Sequence, residues 1–258
     1  KRSPLCGRNF EYFSEDPYLS GKMAASYVRG MQSTGLAACP KHFAVNSQET
    51  RRQASDSVVD ERTLREIYLT GFEIVVRESD PKTIMSSYNL VNGTYANENE
   101  HLLKDILRDE WGFEGAVVTD WGGSNDHAAG VRAQSAFEMP APGNGSAREL
   151  LAAVKAGTLS EADIDACVLD AIKLAMETHQ TVADAPSSFD TEAHHALARE
   201  AAAEGIVLLK NEGGILPLAP KTKVALVGDF AQTPRYQGAG SSAVNSTKVD
   251  TLLDMIGE

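Results

Sequence analysis

The sequence predicts an α/β fold built around a parallel sheet, and three features carry that prediction. Short apolar runs recur along the chain, amphipathic helical patterns separate them, and each run ends in polar residues. At 258 residues the chain has room for one large α/β domain or for two domains.

The first run, Leu36-Ala37-Ala38-Cys39, leads into Pro40-Lys41-His42-Phe43, and Thr83-Ile84-Met85-Ser86-Ser87-Tyr88 is the second. Ala116-Val117-Val118-Thr119-Asp120 is the third. Each is short and apolar, as expected of parallel strands buried on both faces. Between the first two, Asp60 to Arg77 places Leu64, Ile67, Tyr68, Gly71, Ile74 and Val75 on one helical face. Asn99 can cap a second helix, where Leu102, Leu103, Ile106 and Leu107 recur at helical spacing until Trp111-Gly112 ends it.

Two further helices span Ala147 to Ala156 and Ser160 to Glu177, the second opening on an acidic turn. Thr181 to Thr191 holds Pro186, two serines and two aspartates and reads as a linker. A helix from Ala193 to Glu204 follows, and Lys223-Val224-Ala225-Leu226-Val227-Gly228-Asp229 reads as the first strand of a second α/β unit. The expected organisation is a first domain over 1–180, a linker over 181–192 and the beginning of a second domain over 193–258.

Composition narrows the function. The formal net charge is -12, from 36 acidic and 24 basic residues, and a field of that sign repels nucleic acid and anionic membrane surfaces. A neutral or cationic substrate suits it better. With 42% hydrophobic and 23% charged residues the chain can build a core, and its composition does not suggest disorder. Cys6, Cys39 and Cys167 are far apart and form no Cys-x-x-Cys pair, which favours reduced, mostly buried thiols and a cytoplasmic protein. No run of 18 or more apolar residues and no signal segment stands out. Lys1-Arg2-Ser3-Pro4 opens without an initiator Met and Gly257-Glu258 closes without a terminus signal, so a fragment is expected.

In parallel β/α units functional groups gather where strands end and loops begin. Lys41-His42, Tyr88 and Asp120-Trp121 all fall there. A carboxylate at Asp120 could attack the anomeric carbon of a sugar, with the Trp121 indole against the ring and Gly122-Gly123 giving the backbone room. Alone, such an Asp caps the next loop. Alone, Lys41 is a solvated lysine and His42 a core histidine, but with Arg51-Arg52 they set four cations near one strand mouth, suited to sugar hydroxyls or to tuning a carboxylate. Tyr88 can bring its hydroxyl beside Asp120 or serve as a buried structural ring. His194-His195 lacks acidic or Cys partners at metal spacing and reads as helix surface. Gln237-Gly238-Ala239-Gly240-Ser241-Ser242 lacks the context of a phosphate loop.

These motifs resemble glycoside hydrolase family 3. Lys41-His42-Phe43-Ala44-Val45-Asn46, Glu49-Thr50-Arg51-Arg52 and Met85-Ser86-Ser87-Tyr88-Asn89 follow that family's order. Trp111-Gly112-Phe113-Glu114-Gly115 and Val118-Thr119-Asp120-Trp121-Gly122 are similar to its nucleophile segment, and Val207-Leu208-Leu209-Lys210-Asn211 with Leu216-Pro217-Leu218 resembles the entry to its second domain. The resemblance implies a partial TIM-like (β/α) barrel over 1–180 followed by the start of an α/β sandwich domain. It also implies a retaining β-glycosidase in which Asp120 is the nucleophile. Arg8, in Gly7-Arg8-Asn9-Phe10-Glu11, matches a sugar-binding arginine; Lys41, His42 and Arg52 match the hydroxyl-binding set; Tyr88 and Trp121 match the aromatic residues beside the nucleophile.

Glu138-Met139-Pro140 resembles the segment closing the barrel, whereas Gln134-Ser135-Ala136-Phe137 departs from the usual Gly-Thr/Cys-Asp-Leu. Members acting on N-acetylglucosaminides carry Lys-His-Phe-Pro-Gly-His-Gly at the first motif and use its distal His as proton donor. Here Ala44-Val45-Asn46-Ser47 stands instead, so the β-glucosidase-like subgroup is favoured. That subgroup's acid/base lies in the second domain, and the resemblance implies that it falls outside this chain, with the remainder of the same enzyme as partner. No metal or organic cofactor is called for, β-linked glucosides or short oligosaccharides are the expected substrates, and a homo-oligomer is compatible with the reading. The rival is a carbohydrate-binding or scaffold fragment without turnover.

Overall fold

The computed structural model describes residues 3–184, 186, 188–238 and 240–257. Lys1, Arg2, Ala185, Ser187, Ala239 and Glu258, which belong to the expected first domain, linker, Gly-rich stretch and second domain, lie outside the described residues. The chain divides into two units, Lys1–Ala185 and Pro186–Glu258.

The first unit is built on a parallel sheet in which β2 (Thr83–Met85), β5 (Ala116–Val118) and β6 (Ser135–Phe137) lie side by side. Ile84 registers against Val117, and Val117 against Ser135. The expected first strand is instead an extended segment hydrogen-bonded along the other edge of β2. Thr83 N–H donates to the Ala38 carbonyl (3.3 Å), Met85 N–H to that of Pro40 (3.0 Å) and Phe43 N–H to that of Met85 (2.8 Å). Pro40 has no N–H to return, so the ladder is incomplete there and only Phe43 bridges, to Ser86. A second, small sheet is formed by β1 (Asp56–Ser57), β3 (Leu90–Val91) and β4 (Thr94–Tyr95).

Helices flank the parallel sheet. α1 (Pro17–Gln32) starts at Asp16, whose carboxylate accepts from Tyr18 N–H at 2.8 Å. The helix expected from Asp60 begins as α2 (Glu61–Thr63), widens into a π-helix over Leu64–Leu69 and continues as α3 (Thr70–Ser79). The wide turn shifts the register of the apolar face, so Leu69 and Val76 are buried although a uniform helical period does not select them. α1 and α3 approach closely because glycines meet: a Cβ on Gly21 would stand 2.9 Å from Ile74 Cβ and 3.1 Å from the Gly71 carbonyl oxygen. A second π-helix, His101–Glu110, is capped by Asn99, which accepts from Leu102 N–H at 3.1 Å. It buries Leu102, Leu103, Ile106 and Leu107 completely, as its sequence spacing predicts.

Those four residues join Phe43, Ile84, Val117, Trp111 and Phe113 in the main core, where Phe43 meets Phe72 and Trp111 edge-on at 5.1 and 6.0 Å. A polar knot closes the sheet: the Asn97 side-chain oxygen accepts from Ser86 Oγ at 2.9 Å and from Ser135 Oγ at 2.7 Å. The chain continues through α4 (His127–Arg132), β6, α5 (Asn144–Ala156) and α6 (Glu161–Asp184). α6 runs through Asp184, four residues into the segment read as linker from Thr181, because 181–184 hold no breaker and the first proline is Pro186. Cys6 and Cys167 are buried, Cys39 is exposed, and all three are free thiols.

The second unit contains α7 (Thr191–Gly205), capped by Asp190, and α8 (Leu252–Gly257). The run Lys223–Asp229, expected to be a strand, is unpaired, and no strand forms among the described residues of this unit. A strand exists only through its ladder, and with no pairing partner among the described residues Val227 is left 94% exposed.

Candidate active site

Parallel strands deliver their C-terminal ends to one side of the sheet, and the site is built there. β2 ends at Ser86-Ser87-Tyr88, β5 at Thr119-Asp120-Trp121, and the extended segment at Lys41-His42. The loop beyond His42 is pinned rather than loose. The Ala44 carbonyl accepts from Ser87 Oγ (2.8 Å) and Asn89 Nδ2 (3.2 Å), and that of Val45 from Ser57 Oγ (3.0 Å). These bonds hold Val45 at a φ of 61°, a conformation that a β-branched residue adopts only when its surroundings impose it.

Asp120 is 8% exposed, and its two oxygens differ. Oδ1 accepts from the Trp121 N–H at 2.8 Å. Oδ2 is buried without a hydrogen bond among the described residues, and His42 Nε2 stands 3.5 Å from it, close enough for attraction but beyond a formed bond. The loop that follows is tied down: Gly123 N–H donates to the Asp120 carbonyl, and Gly122 N–H to that of Met139, each at 2.8 Å. Tyr88 donates its hydroxyl to the Trp121 carbonyl oxygen at 2.8 Å, and Trp121 itself is 52% exposed. Burial, reinforced by the charge of Asp120, raises the Tyr88 phenol above its ordinary pKa.

Two carboxylates organise the cations. Glu11 takes a bidentate pair from Arg8, Nε at 2.8 Å and an Nη at 2.6 Å, and lies 3.6 Å from Lys41 Nζ. Glu49 binds Arg52 at 2.9 Å and stands 4.0 Å from Arg8. Burial is the largest single influence on both Arg8 and Glu11 and opposes their charges. Their mutual bond and attraction, helped by Glu49 and Lys41, together outweigh it, raising the guanidinium and holding the carboxyl below the ordinary range. Arg52 lies 4.5 Å over the Tyr88 ring, and Arg8 reaches within 3.4 Å of His42 Nε2. On the other face of the imidazole, the Tyr12 hydroxyl is 2.8 Å from His42 Nδ1.

The structure therefore brings Arg8, Lys41, His42, Arg52, Tyr88, Asp120 and Trp121 into one connected set. Sequence reasoning missed Glu11, Tyr12 and Glu49 as members. Glu11 and Glu49 sit inside the motifs that carry Arg8 and Arg52, and an acid three residues from each arginine is the available signal. His194 and His195 lie on α7, where His194 stacks on Phe189 and His195 pairs with Asp250 at 3.4 Å. Among the described residues no group of three or more His, Cys, Asp or Glu is placed to hold a metal ion.

Residues 1–173 match the glycosyl hydrolase family 3 N terminal domain, and residues 206–258 the C-terminal domain of the same family. The chain belongs to glycosyl hydrolase family 3. Its parallel strands and flanking helices are accordingly part of a TIM-like barrel. It is 49% identical over 259 residues to thermostable beta-glucosidase B of Acetivibrio thermocellus, covering 99% of this chain and 34% of that protein. It is 44% identical over 267 residues to an exo-alpha-(1->6)-L-arabinopyranosidase of Bifidobacterium longum, covering 100% of this chain and 35% of that protein. Among solved structures, beta-glucosidase 3B of Thermotoga neapolitana in complex with glycerol superposes with a TM-score of 0.94 at 44% identity, over 99% of this chain and 37% of that one. The chain thus spans about a third of the length of the family 3 relatives it matches.

Proposed function

We propose that this chain carries the nucleophile and the sugar-binding groups of a retaining β-glucosidase that releases terminal β-D-glucosyl residues. The asymmetry of Asp120 carries the proposal: one oxygen is fixed by a backbone N–H, and the other is buried, without a hydrogen bond among the described residues, and faced by His42. A nucleophile needs one oxygen held and one available.

In the first step Asp120 Oδ2 bonds to the anomeric carbon as the glycosidic C–O bond breaks, and its electron pair leaves with the aglycone oxygen. That oxygen takes a proton from an acid. Neither Glu11 nor Glu49 suits this task. Glu11 is kept ionised by Arg8, and Glu49 is engaged by Arg52. On the resemblance to glycoside hydrolase family 3, the acid is assigned to another part of the enzyme. In the second step water attacks the same carbon, gives its proton to the conjugate base, and Asp120 departs with net retention. Arg8, Lys41, His42 and Arg52 are assigned to the sugar hydroxyls and Trp121 to the face of the ring.

An aryl 2-deoxy-2-fluoro-β-glucoside, incubated with the enzyme that contains this chain, tests the proposal. Peptide mass spectrometry should find the fluoroglucosyl group on Asp120. Label elsewhere, or none with turnover intact, would defeat it; binding without label or turnover would favour a carbohydrate-binding fragment. The similarity to an arabinopyranosidase motivates a second substrate, since an α-L-arabinopyranoside presents its leaving group in the same relative geometry but lacks the hydroxymethyl group and inverts the 4-hydroxyl. Comparing kcat/KM for the two aryl glycosides decides between the sugars.

A further inference from the structure

We propose that Tyr12 is a positioning residue that fixes His42 in the tautomer carrying its proton on Nε2, so that a hydrogen-bond donor faces Asp120. This rests on the reading of Asp120 as nucleophile. A neutral imidazole has one donor nitrogen and one acceptor nitrogen, and the hydrogen bond at one decides what the other presents. The Tyr12 hydroxyl lies 2.8 Å from Nδ1, while Nε2 faces Arg8 at 3.4 Å and Asp120 Oδ2 at 3.5 Å. A phenol can either donate or accept, so two arrangements are available.

If Nδ1 held the proton, the Nε2 lone pair would point at a buried carboxylate oxygen that has no hydrogen bond among the described residues. If Nε2 holds it, Tyr12 donates to Nδ1 and a polarised N–H faces Oδ2. The second arrangement gives up the 3.4 Å contact in which Arg8, a donor only, meets an Nε2 lone pair, but Arg8 keeps Glu11, which accepts from its Nε at 2.8 Å and from the same terminal nitrogen at 2.6 Å. With His42 only 3% exposed, water cannot relieve the repulsion that the first arrangement creates. Burial also raises the Tyr12 phenol, so it keeps the proton it must donate. The consequence for chemistry is that His42 Nε2–H is available to Asp120 in the resting site and to a sugar oxygen once substrate arrives.

The test is a long-range 1H–15N correlation spectrum of the 15N-histidine-labelled protein, with the His42 signals assigned by their loss in His42→Gln. The unsubstituted protein should show His42 Nδ1 as the bare nitrogen and Nε2 as the protonated one. Tyr12→Phe, which removes one oxygen and keeps the ring, should give a mixture or the opposite tautomer. It should also raise KM for an aryl β-glucoside roughly tenfold, the effect of a lost buried hydrogen bond, with less change in kcat.

A protonated Nδ1 in the unsubstituted protein, or an unchanged tautomer in Tyr12→Phe, overturns the proposal. The spectrum of the unsubstituted protein decides even if the variant does not fold. Fluorosugar labelling is scored separately: label on Asp120 with the wrong tautomer refutes only the role of Tyr12, and label elsewhere refutes the nucleophile.

Discussion

Tyr88 gives its hydroxyl hydrogen to the carbonyl oxygen of Trp121 across 2.8 Å, joining the end of one strand to the residue after Asp120. Burial and the nearby Asp120 charge hold the phenol protonated, so this bond persists into alkaline solution. Tyr88→Phe should lower thermal stability by about 1 kcal/mol and reduce kcat/KM through a less constrained nucleophile loop. Calorimetry and steady-state kinetics together check this, and unchanged values of both would show that the bond contributes nothing.

Asp120→Ala should abolish hydrolysis of aryl β-glucosides while leaving the fold intact, because a carboxylate at a strand end contributes little packing. Azide should restore part of the turnover by entering the vacated space. It attacks from the face that Asp120 used and no second inversion follows, so the product should be the α-glycosyl azide. NMR of that product gives the configuration; a β-azide would remove Asp120 from the nucleophile's position.

Glu11→Gln should loosen Arg8 and Lys41 together and raise KM about tenfold. The Glu11 carboxyl is held below its ordinary value of 4.5, chiefly by Arg8 acting against burial. A depressed folded-state value means that the contribution is complete above pH 4.5 and is lost as pH falls further, through the folded-state value. The gap in glucose affinity between the two proteins should therefore stay constant down to about that pH and close only below it, as isothermal calorimetry across the acid range would show.

Arg108 and Asp170 form a buried pair at 2.9 Å, joining the π-helix His101–Glu110 to α6, and Gln134 also donates to Asp170 at 3.0 Å. Burial lifts the Asp170 carboxyl and lowers the Arg108 guanidinium, each against the pull of its partner, so desolvation outweighs the attraction. Asp170→Ala should cost about 3–5 kcal/mol, because it strands a buried cation. Replacing both by Leu and Met should cost much less. Equal losses in the single and double variants, measured by urea unfolding, would contradict this account.

Where local pattern and tertiary packing agree, the sequence was readable. Leu102, Leu103, Ile106 and Leu107 repeat at helical spacing and are all buried, and Asn99 caps the helix that carries them. Tyr88 and Asp120 were locatable because apolar runs end at them. Legibility failed where partners come from far away in the chain. Glu11 and Tyr12 precede α1, yet they meet Lys41 and His42 about 30 residues later, through a chain path that no local period encodes. The π-turns escaped for a related reason, since a widened turn is a response to packing and leaves no residue signature. Lys223–Asp229 has the composition of a strand but is unpaired among the described residues, and pairing is a property of two segments.

The unequal burial of the two indoles gives the protein an optical reporter. Of only two tryptophans in the chain, Trp111 is sealed in the core at 6% exposure, whereas Trp121 stands half open beside Asp120. A dissolved quencher such as iodide reaches Trp121 and not Trp111, so the quenchable part of the emission from this segment belongs to one ring. Any molecule that settles over that ring shields it from iodide and changes its emission, whether or not a bond is broken. Occupancy can then be followed by light in variants that have lost all turnover.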